Sequence, residues 1–282
     1  MQGNPSVGGV VNLIINEENM LLAWDTSTGP CTVALWHEGA VIAQQEELRP
    51  LHQARRLLPM MEEVLHSAGI WYSDVEHYAV CVGPGSFTGV RIGLTAARML
   101  QALQPRTVHA ATSLQAMAWG VLQWHTHAQK KQEKQAGKEK RAGEHDYITV
   151  VLNAGKAQGY VQSFRVTEHG GDVEHGKVGN AHTHTLQTVA DIAIRGMEDI
   201  AAHLRAYPGP WATNIATLAA QEATLPGYCP PVSFAHASAV AGWALAHSCS
   251  ADASTDALQP CYIRPPDATL PVSAGISGTV VR

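Results

Sequence analysis

The sequence predicts an α/β protein built as two lobes, and three observations carry that expectation. Its 282 residues are about twice the ~150 residues of a common single domain. Residues 21–47 read as a meander of strands, the antiparallel opening of an α/β lobe. Residues 78–103 read as a short buried strand, a glycine-rich loop and a helix.

The first strand falls at Met20-Leu21-Leu22-Ala23-Trp24 and runs into the turn-rich cluster Asp25-Thr26-Ser27-Thr28-Gly29-Pro30. Residues 31–36 alternate as a second strand, His37-Glu38-Gly39 makes a hairpin turn, and residues 41–47 form a third strand. Over residues 53–67, Leu57, Leu58, Met61, Val64 and Leu65 recur at spacings of three and four, which makes one apolar helical stripe with Pro59 inside it. Residues 78–82 form a strand, and a helix follows from about residue 90 to 103, ended by Pro105. Further helices are expected over 112–124, 186–206 and 235–247, the last Ala-rich and suited to close packing. Strands are expected over 148–152 and 160–166, around a turn at Asn153-Ala154-Gly155. Ahead of all this, residues 1–19 are loop-like, and two readings stay open: a start of translation at Met20, or a real, poorly ordered extension.

Composition narrows the function classes. Hydrophobic residues make up 45% and charged residues 15%, enough for a sizeable core and too few charges for a disordered chain. The net charge of −5 provides no global basic field for nucleic acid. Five cysteines without a CxxC pair argue against a zinc ribbon or a disulfide framework and fit a reducing cytoplasm. No apolar run is long enough to span a membrane, and a basic start with a long apolar stretch, the mark of a signal peptide, is missing. The stretch KKQEKQAGKEKRAG reads as a solvated flexible insertion, since its Glu residues dilute the charge and no aromatic is interleaved for base stacking.

The strongest local feature is the run Gly83-Pro84-Gly85-Ser86-Phe87-Thr88-Gly89-Val90-Arg91. Its glycines permit positive φ and close backbone approach, and Ser86 or Thr88 can cap the following helix. A helix start of this kind suits an anion. Yet the phosphate loop needs Lys and Ser or Thr after its last glycine, whereas Val90-Arg91 follow Gly89, and the dinucleotide spacing GxGxxG also fails. Spacing alone therefore supports a tight strand-to-helix turn, with phosphate contact as the second reading. The pairs His125/His127 and His182/His184 read as surface histidines, and GxSxG is absent around Ser86.

The run GPGSFTGVRIGL resembles the signature of the TsaB (YeaZ) family. Asp25-Thr26-Ser27-Thr28 after an apolar strand, Arg49 and His52 ahead of Leu57-Leu58-Pro59, and Pro260-Cys261-Tyr262-Ile263-Arg264 are similar to three further places in that family. The resemblance is good over residues 20–124, moderate over 235–266 and weak between them; Asn153-Ala154-Gly155 and Gln158 stand where the family carries an Asp-Ala-Arg turn and a Glu.

The resemblance implies a two-lobe actin/Hsp70/sugar-kinase-like (ASKHA) fold with ribonuclease H-like lobes. It implies an extension over 1–19, a first lobe over 20–110 plus 235–266, a second lobe over 111–234 with a flexible Lys-rich insertion at 128–144, and a tail over 267–282. The family's role is that of a non-catalytic partner of the TsaD-type enzyme, which transfers the threonylcarbamoyl group to the adenosine beside the tRNA anticodon. Expected partners are the TsaD-type protein and a TsaE-type ATPase, with a homodimer in isolation, tRNA touched indirectly and no membrane. No tightly bound cofactor is implied, although ATP or ADP at the partner boundary stays open. The catalytic relative holds its metal with two His at i and i+4; here Arg56 stands four residues after His52 and HxxxH occurs nowhere, so no catalytic residue and no metal are expected. Candidate phosphate contacts are Asp25, Thr26, Gly83, Gly85, Ser86, Thr88 and Gly89. Candidate interface residues are His52, Leu57, Leu58, Met61 and Leu65 on the first helix and Arg91, Gly93, Ala96 and Ala97 on the second, unless the stripe faces the lobe's own sheet. A metallopeptidase and a sugar-kinase-like enzyme of the same fold are the alternatives; the first lacks HxxxH, and the second has only Gly170-Gly171-Asp172 for its later phosphate loop.

Overall fold

Short apolar runs separated by turn residues build a first sheet from the start of the chain. The computed structural model describes residues 20–49, 52–136, 147–169, 183–247 and 258–263. Extension 1–19, the Lys-rich stretch beyond residue 136, Gly170-Gly171-Asp172, His182 and the tail 267–282 lie outside the described residues. The first sheet contains β1 (Leu21–Asp25), β2 (Cys31–His37), β3 (Ala40–Glu47), β4 (His77–Cys81) and β5 (Thr107–Ala111), in the order β3-β2-β1-β4-β5. β1, β2 and β3 pair antiparallel, whereas β1, β4 and β5 run parallel. β1 and β4 are buried along their whole length, as parallel strands covered on both faces must be. Edge strand β3 alternates exposed and half-buried positions.

Helices α1 (Gln53–Ser67) and α2 (Phe87–Leu103) cover one face of this sheet. Leu22, Trp24, Tyr78 and Val80 from the strands meet Leu57, Met61, Leu94 and Ala97 from the helices there. The other face is covered chiefly by α6 (Ala237–Ala246), with α3 (Ser113–Ala136) packed on α6; α3 continues through residues 128–136 of the stretch expected to be a flexible insertion. Lys, Gln, Glu and Ala are good helix formers, so a run of them prolongs a helix already nucleated by packing.

A second sheet follows, from β6 (Tyr147–Gly155), β7 (Gln158–His169), β8 (Thr183–Thr188), β9 (Ala193–Gly196) and, after α4 (Met197–Ala206), β10 (Trp211–Thr213). Its order is β10-β6-β7-β8, with β9 also paired to β7. The chain ends its described elements with α5 (Ala216–Ala219) and α6 (Ala237–Ala246). The helix expected over 186–206 is thus corrected to the end of β8, strand β9 and α4. Leu186 pairs with Val166 and Ile194 with Tyr160, because Thr, Val and Ile favour a pleated surface and β7 offers its edge.

α3 and α6 lie between the two sheets. One core joins Leu21 and Ala23 of β1, Leu114 and Met117 of α3, Val240 and Trp243 of α6, and Val150, Leu152 and Phe164 of the second sheet. Close packing of the Ala-rich helix is visible at Gly242, where a Cβ would stand 2.0 Å from the Trp119 indole nitrogen. α4 and α5 close the far face of the second sheet over Val151, Val161 and Trp211. The layers therefore alternate helix, sheet, helix, sheet, helix.

Candidate partner interface and the closed glycine loop

The turn after β1 is held by its own side chains. Asp25 is buried, and its Oδ1 accepts from the Ser27 backbone N–H at 2.9 Å and the Ser27 hydroxyl at 2.5 Å. Its Oδ2 accepts from the Thr28 hydroxyl at 2.7 Å and the Thr28 N–H at 3.3 Å. The network extends outward: Ser27 Oγ lies 2.7 Å from Ser113 Oγ at the start of α3, and Thr28 Oγ1 accepts from Ala235 N–H at 3.0 Å just before α6. Burial pushes the Asp25 carboxyl up from the usual carboxylate range, against the pull of the hydrogen bonds from Ser27 and Thr28. Both carboxylate oxygens are thus committed to the fold.

The glycine loop closes onto this turn. A Cβ on Gly85 would stand 2.3 Å from the Ser27 carbonyl oxygen, and one on Gly89 only 1.9 Å from that of Thr26. A Cβ on Gly93, one helical turn later, would come within 2.8 Å of Thr26 Oγ1. Donors from both sides fasten the contact: Ser86 N–H to Ser27 O at 2.7 Å, Thr26 Oγ1 to Gly89 O at 2.7 Å and Trp24 Nε1 to Gly93 O at 3.1 Å. Ser86 caps α2 by accepting from Gly89 N–H at 3.2 Å. Gly83 has φ +94°, and Thr88 is exposed on the first turn. All seven candidate phosphate contacts gather here, but the space beside Gly85 and Gly89 holds backbone carbonyl oxygens, which repel an anion. The glycines admit the β1 turn, a role that spacing could not separate from phosphate contact.

The interface residues require a larger correction. Leu57, Met61 and Leu65 of α1, and Gly93, Ala96 and Ala97 of α2, are buried in the first lobe. The apolar stripe covers the lobe's own sheet, Gly93 fits α2 to the β1 turn, and Ala96 and Ala97 pack into the core of the lobe. His52, at the N-cap of α1, Leu58 and Arg91 do reach the surface. Sequence reading missed a row on the exposed side of α2: Phe87, Arg91, Thr95, Met99 and Leu103, four residues apart and all exposed, a ridge that winds about 40° round the helix at each step. Phe87 is 54% exposed and Leu103 72%, which is costly for large apolar groups unless something covers them. The i+4 spacing was legible in the sequence; the inward small-residue face drew the reading away from it.

A segment from the far end of the chain crosses this ridge. Leu258 is buried in the core beneath α2, Arg98 Nη2 donates to Leu258 O at 2.7 Å, and Cys261 N–H donates to Val82 O at 2.8 Å. Tyr262 then stacks on Phe87, with ring centroids 5.5 Å apart. The Arg91 guanidinium sits 3.8 Å from the centre of the Phe87 ring, and its Nε donates to Tyr262 Oη at 3.2 Å.

Other titratable groups are internal. His109 Nε2 and His77 Nδ1 are 3.3 Å apart on neighbouring strands; burial, with His77 beside it, pushes His109 down to about 4. Burial also lowers His77, with Glu76 opposing and Arg106 assisting. His125 hydrogen-bonds the Tyr228 hydroxyl from α3, and His127 Nδ1 lies 2.8 Å from Gln123 O. Among the described residues, no three His, Cys, Asp or Glu side chains stand close enough together to hold a metal ion, and no helix is long and apolar enough to cross a membrane.

The family model described as TsaD, tRNA N6-adenosine threonylcarbamoyltransferase, matches residues 46–261. A stretch of 101 residues is 41% identical to the tRNA threonylcarbamoyladenosine biosynthesis protein TsaB of Escherichia coli (strain K12). The chain belongs to the TsaD-like family, on its TsaB (YeaZ) branch. The E. coli match covers 36% of this chain and 43% of that protein; a Haemophilus influenzae TsaB is 39% identical over 37% and 44%. The matched stretch thus spans less than half the length of these curated relatives. Structural likeness runs further: YeaZ from Pseudomonas aeruginosa superposes with a TM-score of 0.59 at 25% identity, covering 87% of this chain and all of that one. Another P. aeruginosa structure, described as similar to peptidase YeaZ, gives 0.61 at the same identity and coverage. With the layer order above, these relatives fix the ASKHA-like fold that the resemblance implied.

Proposed function

We propose that the chain is a non-catalytic partner of a TsaD-type enzyme in tRNA threonylcarbamoyladenosine biosynthesis, docking through the outer ridge of α2 and Leu58 of α1. The observation that carries this is the ridge itself: two large apolar side chains at its ends, an arginine between them, and a rigid core helix behind. The pathway is that of the curated relatives by name. The non-catalytic part rests on the Asp25 turn, whose carboxylate is spent on Ser27 and Thr28 and whose neighbouring loop is filled by carbonyls. With a net charge of −5, the chain leaves most tRNA contact to its partners. In isolation the same ridge pairs two copies. A TsaE-type ATPase joins the assembly, and any ATP or ADP sits at the boundary rather than in this chain's loop. The setting is the cytoplasm.

The test is reconstitution of threonylcarbamoyl transfer to tRNA from the TsaD-type and TsaE-type proteins of the same source, with and without this chain. Transfer should require the chain, and the chain alone should transfer nothing. Equal transfer without it would overturn the reading.

A further inference from the structure

We propose that the segment 258–263 is a clasp that presets Arg91 as the cation for one carboxylate, an Asp or Glu of the partner protein. This rests on the reading above and names the chemistry at the centre of its surface.

An exposed arginine normally samples many rotamers, and ordering it on binding costs affinity. Arg91 is already ordered: its guanidinium lies on Phe87 at 3.8 Å, and its Nε is engaged by Tyr262 Oη at 3.2 Å. Tyr262 is in turn placed by its stack on Phe87, by Cys261 N–H on Val82 O at 2.8 Å and by buried Leu258. Among the described residues, no carboxylate pairs with Arg91, whereas exposed Arg49 and half-buried Arg56 pair with Glu47 and Glu63. Its two terminal nitrogens keep the planar fork that matches a carboxylate with paired hydrogen bonds.

The surroundings select a carboxylate over a nucleic-acid phosphate. Flanking side chains are Phe87, Tyr262, Thr95 and Met99; Arg98 shares this side of α2 seven residues on, but its Nη2 is spent on Leu258 O at 2.7 Å, which leaves Arg91 as the cation that faces a partner. A single cation in an apolar setting fits one desolvated acid in a protein interface; a polyphosphate calls for a row of cations. A second, independent consequence is that the far end of the chain completes a surface otherwise made by α2.

The experiment is calorimetric titration of the full chain with the TsaD-type protein of the same source, at low and high salt, using Arg91→Ala, Arg91→Lys, Tyr262→Phe and Leu103→Asp. All three positions are at the surface, so melting temperatures should stay at the wild-type value. Arg91→Ala should weaken binding about tenfold or more and remove most of its salt dependence. Arg91→Lys should recover only part of the loss, because it keeps the charge and loses the fork. Tyr262→Phe keeps the ring and frees Nε, and should weaken binding about threefold. Arg91→Ala binding within about twofold of wild type, while Leu103→Asp abolishes it, would overturn the clasp and leave the docking surface standing. Loss in neither variant would overturn the docking surface too. An Arg91 effect seen only with tRNA added, or only on self-association, would equally overturn the carboxylate assignment.

Discussion

The two faces of α2 use different residues for different ends. Its inner face is stripped of side chains at Gly89 and Gly93, as is the loop before it at Gly85, so that the turn carrying Asp25 can press against it. The outer ridge carries Phe87 and Arg91, which Tyr262 only partly covers, and Met99 and Leu103, which stay exposed. Small residues on a helix permit close approach, but the sequence does not say of what; here the approaching group is the chain's own backbone. Large apolar residues left outside are the better pointer to another molecule.

The contrast can be broken most sharply from inside. Gly89→Ala places a methyl group 1.9 Å from the Thr26 carbonyl oxygen, a contact with backbone that no rotamer relieves. It should cost about 3 kcal/mol or more of stability in denaturant unfolding. Met61→Asp buries a carboxylate among Leu57, Val64 and the sheet, and should cost a similar amount, about 3–4 kcal/mol. Leu58→Asp, one helical position away from the Leu57 side, should shift stability by less than about 1 kcal/mol because the side chain already touches water. If Met61→Asp instead left the fold intact and only dissolved a dimer, the inward assignment of the stripe would fail.

A smaller effect comes from the sheet edge at β4 and β5. His109 is held down near 4 and His77 is also lowered from about 6.5, so the unfolded chain binds more protons between these values. Their neutral forms stabilise the fold fully above pH 6.5, and that contribution is lost as pH falls toward 4. Unfolding midpoints measured across this window should decline, and His109→Phe should flatten the decline; an unchanged slope would remove the pair as its source.

Much of the first lobe was legible because its rules are local. The period of 57, 61, 64 and 65 set α1 within its true bounds, and alternation with turn residues set β1 to β3. The second lobe was harder: Leu186, Ile192 and Ile194 fit a helical period by chance, and only the edge of β7 makes them strands. Site residues were legible as a neighbourhood and not as a role. Asp25, Gly85 and Gly89 do converge, but whether the gap between them holds a phosphate or a carbonyl depends on the path of a turn some 60 residues upstream in sequence. Which face of α1 meets the sheet is likewise fixed by packing, so Leu58 and Leu57 could not be told apart from their letters.

The most direct test of the central claim is the affinity of the chain for the TsaD-type protein of the same source when the ridge alone is altered. With Met99→Asp and Leu103→Asp together, sedimentation should show the complex lost at concentrations where wild type is fully bound, with the melting temperature unchanged. A folded double variant that still binds like wild type would contradict the account.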